Sequence, residues 1–172
     1  MNVLWVSSDA YGGLAWAALA MGDREKAEGY CREALKLRGR AGENFFSVAR
    51  YVLSRLHIQR GELAEARAHL SEFVVNNYHN FPPVQLGIQL FGILARTEGQ
   101  SARAAILFGA QDVISAKLMN VIPLPEREAY QEALSAVRVQ LSAEEFAAGW
   151  EKGKAMTTAQ AIRYALDGPH QV

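Results

Sequence analysis

An all-α array of helical hairpins closed by further C-terminal helices is the fold that this 172-residue sequence predicts. Three observations predict it: a glycine register that recurs at nearly constant spacing, helical apolar periodicity on both sides of each glycine, and two capping-box sequences near the end of the chain. The register aligns three segments: Leu14-Ala-Trp-Ala-Ala-Leu-Ala-Met-Gly22-Asp-Arg-Glu-Lys-Ala27, Leu53-Ser-Arg-Leu-His-Ile-Gln-Arg-Gly61-Glu-Leu-Ala-Glu-Ala66 and Phe91-Gly-Ile-Leu-Ala-Arg-Thr-Glu-Gly99-Gln-Ser-Ala-Arg-Ala104. Gly22 to Gly61 is 39 residues and Gly61 to Gly99 is 38. In every copy a large apolar residue lies eight before the glycine, a small one seven before it, and Ala five after it.

The physics of a helix–turn–helix unit accounts for each of those positions. Ala15, Ser54 and Gly92 are small enough to let a neighbouring helix approach, with Leu14, Leu53 and Phe91 filling the space beside them. Gly22, Gly61 and Gly99 can adopt the left-handed conformation that ends a helix. Ala27, Ala66 and Ala104 then face the first helix at the tightest point of the hairpin, and Cys31, Leu70 and Phe108 follow on the same face four residues later. Together these place hairpins at about 8–37, 45–77 and 83–118. Polar linkers are expected at Arg38-Gly-Arg-Ala-Gly-Glu-Asn44 and Asn76-Asn-Tyr-His-Asn80.

Capping helices are expected over about 125–168. Pro123-Leu-Pro125 interrupts the chain, and Pro125 suits a first helical turn in which Glu126 and Glu128 meet the positive helix end. Leu134, Val137 and Leu141 continue as an apolar stripe. Ser142-Ala-Glu-Glu145 and Thr157-Thr-Ala-Gln160 have capping-box spacing and start two more helices, faced by Phe146 and Trp150 and by Ile162, Ala165 and Leu166. The expectation is about nine helices in a single domain spanning 1–172, with no strand.

The small, Gly and Ala positions of the three segments resemble a tetratricopeptide repeat array, here with a period longer than the usual 34. Phe73 and Gln111 stand where the second helix of such a repeat usually has Ala. The tail carries a second likeness: Ala102–Ile114, Pro123–Leu134 and Phe146–Thr157 are similar to the C-terminal ends of MalT-like and AfsR-like bacterial signal-transduction ATPases and LuxR-type regulators. That likeness spans roughly residues 8–168 and implies a tetratricopeptide-like solenoid serving as the sensor or scaffold part of a bacterial signalling or transcription regulator. The family's ATPase and DNA-binding motifs are absent, so those activities are not implied.

Composition narrows the function classes. Eighteen Lys and Arg balance eighteen Asp and Glu, and neither half hides a basic excess: residues 1–86 carry ten basic and nine acidic side chains, the remainder eight and nine. Direct nucleic-acid binding or attachment to an anionic membrane therefore has no electrostatic basis, and no run approaches the length of a membrane span. The single cysteine, Cys31, cannot form an internal disulfide and favours a reducing, cytoplasmic setting. It reads as a small buried hydrophobe.

No catalytic residue, metal site or cofactor is expected. Gly149-Trp-Glu-Lys-Gly153-Lys154 falls one residue short of a phosphate loop, lacks its hydroxyl residue, and reads as a helix end. The four histidines show no metal-ligand spacing, and His57 reads as a hydrogen-bonded core or groove residue. Binding is the expected work, on the first helices that line the concave side of a hairpin stack. Trp16 and Leu19, then Tyr51, Arg55 and Gln59, then Gln89, Ile93 and Arg96 are the groove candidates, rings for buried area and polar groups for register against a protein or peptide. The alternative for Trp16 and Ile93 is packing between hairpins. Two further readings are self-association as a homodimer through Leu4, Trp5 and Val6, which precede the first hairpin, and a small-molecule effector site in the groove.

Overall fold

The computed structural model describes the backbone of residues 3–41, 48–77, 81–118 and 124–168, and their side chains except at 3–7, 38–41, 81–82, 117–118 and 124–125. These residues form nine helices and no strand: α1 (Val3–Ala20), α2 (Arg24–Ala41), α3 (Val48–Arg60), α4 (Leu63–Asn76), α5 (Phe81–Thr97), α6 (Ser101–Leu118), α7 (Leu124–Gln140), α8 (Ala143–Lys154) and α9 (Thr158–Leu166). The first hairpin is longer than its apolar pattern implied, beginning at Val3 and running to Ala41. Part of the expected 38–44 linker is thus helix, because one glycine inside a helix costs only about 1 kcal/mol. Helix α5 starts at Phe81, so Pro82 and Pro83 fall in its first turn, where the missing N–H groups have no intrahelical partner anyway.

The three register glycines occupy equivalent turns. Gly22, Gly61 and Gly99 have φ of +81°, +77° and +77°. Each donates its N–H to the carbonyl three residues back (Leu19, Ile58, Arg96) at 3.0, 3.1 and 3.0 Å. The next residue (Asp23, Glu62, Gln100) donates to the carbonyl five back (Ala18, His57, Ala95) at 2.9, 2.9 and 2.8 Å. This is the Schellman arrangement that satisfies the last carbonyls of a helix. Asp23 adds side-chain capping, accepting from the Lys26 N–H at 3.1 Å, whereas Glu62 makes no such bond.

The interior of each hairpin repeats as well. Ala27, Ala66 and Ala104 are fully buried, as are Cys31, Leu70 and Phe108 one turn later. As that second residue grows from Cys to Leu to Phe, its counterpart on the first helix is Ala15, Ser54 or Gly92. A Cβ at Gly92 would lie 2.3 Å from the Phe108 ring, so the glycine makes room for the largest of the three. Leu53 and Phe91 are buried as expected, but Leu14 is 47% exposed and fills no gap.

Contacts divide the chain into two compact units, Met1–Asn77 and Tyr78–Val172. In the first, α1 packs on α2 and α3, and α3 on α4. In the second, α6 is the hub, touching α5, α7, α8 and α9. Every residue from Arg103 to Gln111 is buried, which is why α6 shows no polar stripe. The expected capping boxes are both formed: Ser142 Oγ accepts from the Glu145 N–H and Glu145 answers to the Ser142 N–H, with Thr157 and Gln160 doing the same for α9.

Candidate interaction surfaces

The first-helix candidates of the first unit lie on α1 and α3. Trp16 and Leu19 are half-buried and pack against the hairpin core. The Trp16 ring centroid is 5.7 Å from that of Tyr51 at a 50° tilt, and Tyr51 in turn lies 5.4 Å from Phe73. Tyr51 is only 1% exposed, so it is a core residue and not a groove residue. The reason is the Trp16–Tyr51–Phe73 series of rings, which turns Tyr51 inward against a bulky residue on α4. Arg55 is half-buried and Gln59 exposed on the same helix.

In the second unit the candidates lie on α5. Gln89 is fully buried, its Nε2 donating to the Glu126 carbonyl at 3.0 Å, so it ties α5 to the start of α7 and offers no free surface. Ile93 and Arg96 are half-buried. The self-association candidates Leu4, Trp5 and Val6 fall on α1, with side chains outside the described residues.

A polar band on the second hairpin escaped the sequence reading. Arg60 pairs with Glu28 of α2 at 2.5 Å, and His57 Nδ1 lies 2.6 Å from Glu62. The His57 and His69 rings stack across the hairpin at 5.4 Å with 16° between planes. Beyond them Arg50 reaches His69 Nδ1 at 3.5 Å and Glu72 at 2.5 Å. Burial, then His57 and Arg50, push the His69 imidazole below its ordinary value, while the Arg60 hydrogen bond lowers Glu28. The signal was present: residues 50, 57 and 60 share their seven-then-three spacing with 62, 69 and 72, which aligns the first trio on one face of α3 and sets 69 and 72 on one face of α4, with Glu62 at its N-cap.

Two other singled-out features are structural. The Gly149–Lys154 segment is the end of α8, and its glycines face α6: a Cβ at Gly153 would lie 2.0 Å from the Ile106 carbonyl oxygen, and one at Gly149 3.1 Å from Ala105 Cβ. These glycines serve close helix packing and form no phosphate cradle. Cys31 is buried with its Sγ 3.5 Å from the Ala49 carbonyl, and burial pushes its thiol up to about 12, where it stays protonated.

Among the described residues no helix is long and apolar enough to cross a membrane, and no three His, Cys, Asp or Glu side chains gather as a metal site. Comparison with family models, with curated proteins and with solved structures finds no match for this chain.

Proposed function

We propose that the chain is a tetratricopeptide-like helical-repeat module that works by binding a protein or peptide and not by catalysis. The observation that carries this reading is the equivalence of the three turns, which makes α1, α3 and α5 the first helices of like hairpins. First helices of such hairpins supply the binding surface of repeat proteins. In the first unit the half-buried Trp16 and Leu19 with Arg55 and exposed Gln59 combine ring area with polar groups, the composition of interface anchors. Ile93 and Arg96 are the corresponding pair on α5. Tyr51 and Gln89 are buried and form no part of these surfaces. The likeness of residues 8–168 to the ends of MalT-like and AfsR-like regulators supports a sensor or scaffold role in bacterial signalling or transcription control.

Photo-crosslinking tests this. With p-benzoylphenylalanine at Gln59, discrete covalent adducts are expected in cells, and Arg55→Ala should remove them without loss of helical circular dichroism. The same probe at Glu65, exposed on α4, is the control. An adduct pattern identical at both positions, or unchanged by Arg55→Ala, contradicts the assignment.

A further inference from the structure

We propose that the cleft between α8 and α9 is a binding site for a small organic anion, distinct from the first-helix surfaces. The cleft has a volume of about 360 Å³ and is bounded by Lys152, Met156, Gln160, Arg163, Tyr164 and Asp167. That volume reaches the lower end of the range for small-molecule sites, but the cleft is wide open to solvent, so a single-ring ligand would lie against its wall and not be enclosed.

Its construction follows from the helix that forms its wall. Helix α9 buries Ala161, Ile162 and Ala165. The positions left over, 160, 163, 164 and 167, recur at three- and four-residue steps and so share the opposite face. Lys152 comes from the last turn of α8 and Met156 from the turn between the helices. The Lys152 and Arg163 side chains form no ion pair or hydrogen bond with any described residue, Asp167 included. Two cations against one carboxylate leave the cleft net positive, and both remain available to a ligand. Met156 and Tyr164 are half-buried and supply the apolar contact for the ligand's body.

Buried Arg103 of α6 holds this wall in place. Its guanidinium donates to the carbonyls of Tyr164, Ala165, Asp167 and Gly168 at 2.5, 3.3, 3.2 and 3.3 Å, and sits 4.6 Å from the Tyr164 ring centroid. The carbonyl end of a helix ordinarily presents partial negative charge that opposes anions. Here those carbonyls point at a buried cation, and the Tyr164 ring is fixed from one side. The wall is therefore ordered and electrostatically neutralised before any ligand arrives, which lowers the cost of binding.

Nuclear magnetic resonance titration of the full chain is the test, with phenyl phosphate and phenylacetate as aromatic anions and inorganic phosphate and benzyl alcohol as the separate halves. At least one aromatic anion should produce saturable shifts at Lys152, Arg163 and Tyr164, binding at least about fivefold more tightly than either half. Lys152→Gln and Arg163→Gln, both at exposed positions, should each weaken it roughly tenfold, the loss expected for one charge-assisted hydrogen bond. Shifts that never saturate, equal binding of inorganic phosphate or benzyl alcohol, or undiminished affinity in the two variants would overturn the proposal.

Discussion

Gly92 and Phe108 illustrate how a single contact sets the spacing of a hairpin. The Cβ of Gly92→Ala would meet the Phe108 ring at 2.3 Å, and overpacking of this kind costs about 1–3 kcal/mol. Phe108→Leu reproduces the residue that the second hairpin has at Leu70, opposite Ser54. The Gly92→Ala/Phe108→Leu double variant should therefore be more stable than the two single losses summed, with a coupling of about 1 kcal/mol. Urea unfolding of the four proteins measures it, and simple additivity would show that the two residues are not in contact. Phe108→Ala alone, at a fully buried ring set edge-on to Tyr130 at 5.2 Å, should cost about 3–5 kcal/mol. Glycines divide by the same logic. Gly153→Ala drives a methyl into the Ile106 carbonyl and should be strongly destabilising, whereas Gly29→Ala meets nothing within 4 Å inside α2 and should stabilise by about 0.5–1 kcal/mol.

At the scale of elements, α3 and α4 are joined by titratable groups as well as by apolar packing. His69 holds its proton less readily than a free imidazole, chiefly through burial and then through His57 and Arg50, with Glu72 opposing. Unfolding returns it to an ordinary value near 6.5. As pH falls through that value the unfolded chain takes up the proton first, so this residue's contribution is intact above about pH 6.5 and declines below it. Urea midpoints measured from pH 7.5 to 5 should fall more steeply for the wild type than for His69→Gln, and parallel profiles would contradict the assigned environment. Helix α9 depends on a different device, the Arg103 guanidinium at its carbonyl end. With Arg103→Met, the amides of α9 should lose hydrogen-exchange protection while those of α3 and α4 keep theirs; uniform loss across the chain would mean that Arg103 acts on more than α9.

For the whole molecule, what could be read from the sequence was what local chemistry determines. Glycine turns, capping boxes and the buried Ala, Cys, Leu and Phe positions all depend on residues within a few places of one another, and all stand where the pattern put them. Tertiary choices were not legible. Tyr51 looked like a groove residue because its position on the first helix suits one, yet Phe73 across the hairpin draws it inward. Gln89 looked like a surface amide until the start of α7 covered it. The unbroken burial of α6 from Arg103 to Gln111, and the glycines of α8 that permit it, are visible only once α8 is laid against α6.

Structural equivalence of the three turns is the claim on which the repeat reading rests, and stability measurements on Gly22→Ala, Gly61→Ala and Gly99→Ala test it most directly. All three positions have φ near +80° and open space around the missing Cβ, so only the left-handed backbone resists a side chain. The three variants should each lose about 1–2 kcal/mol, equal within a few tenths, by urea unfolding of the unit that contains them. A negligible loss at any one of the three, or losses that differ several-fold among them, would show that the turns are not alike and that the chain is not a repeat of one hairpin.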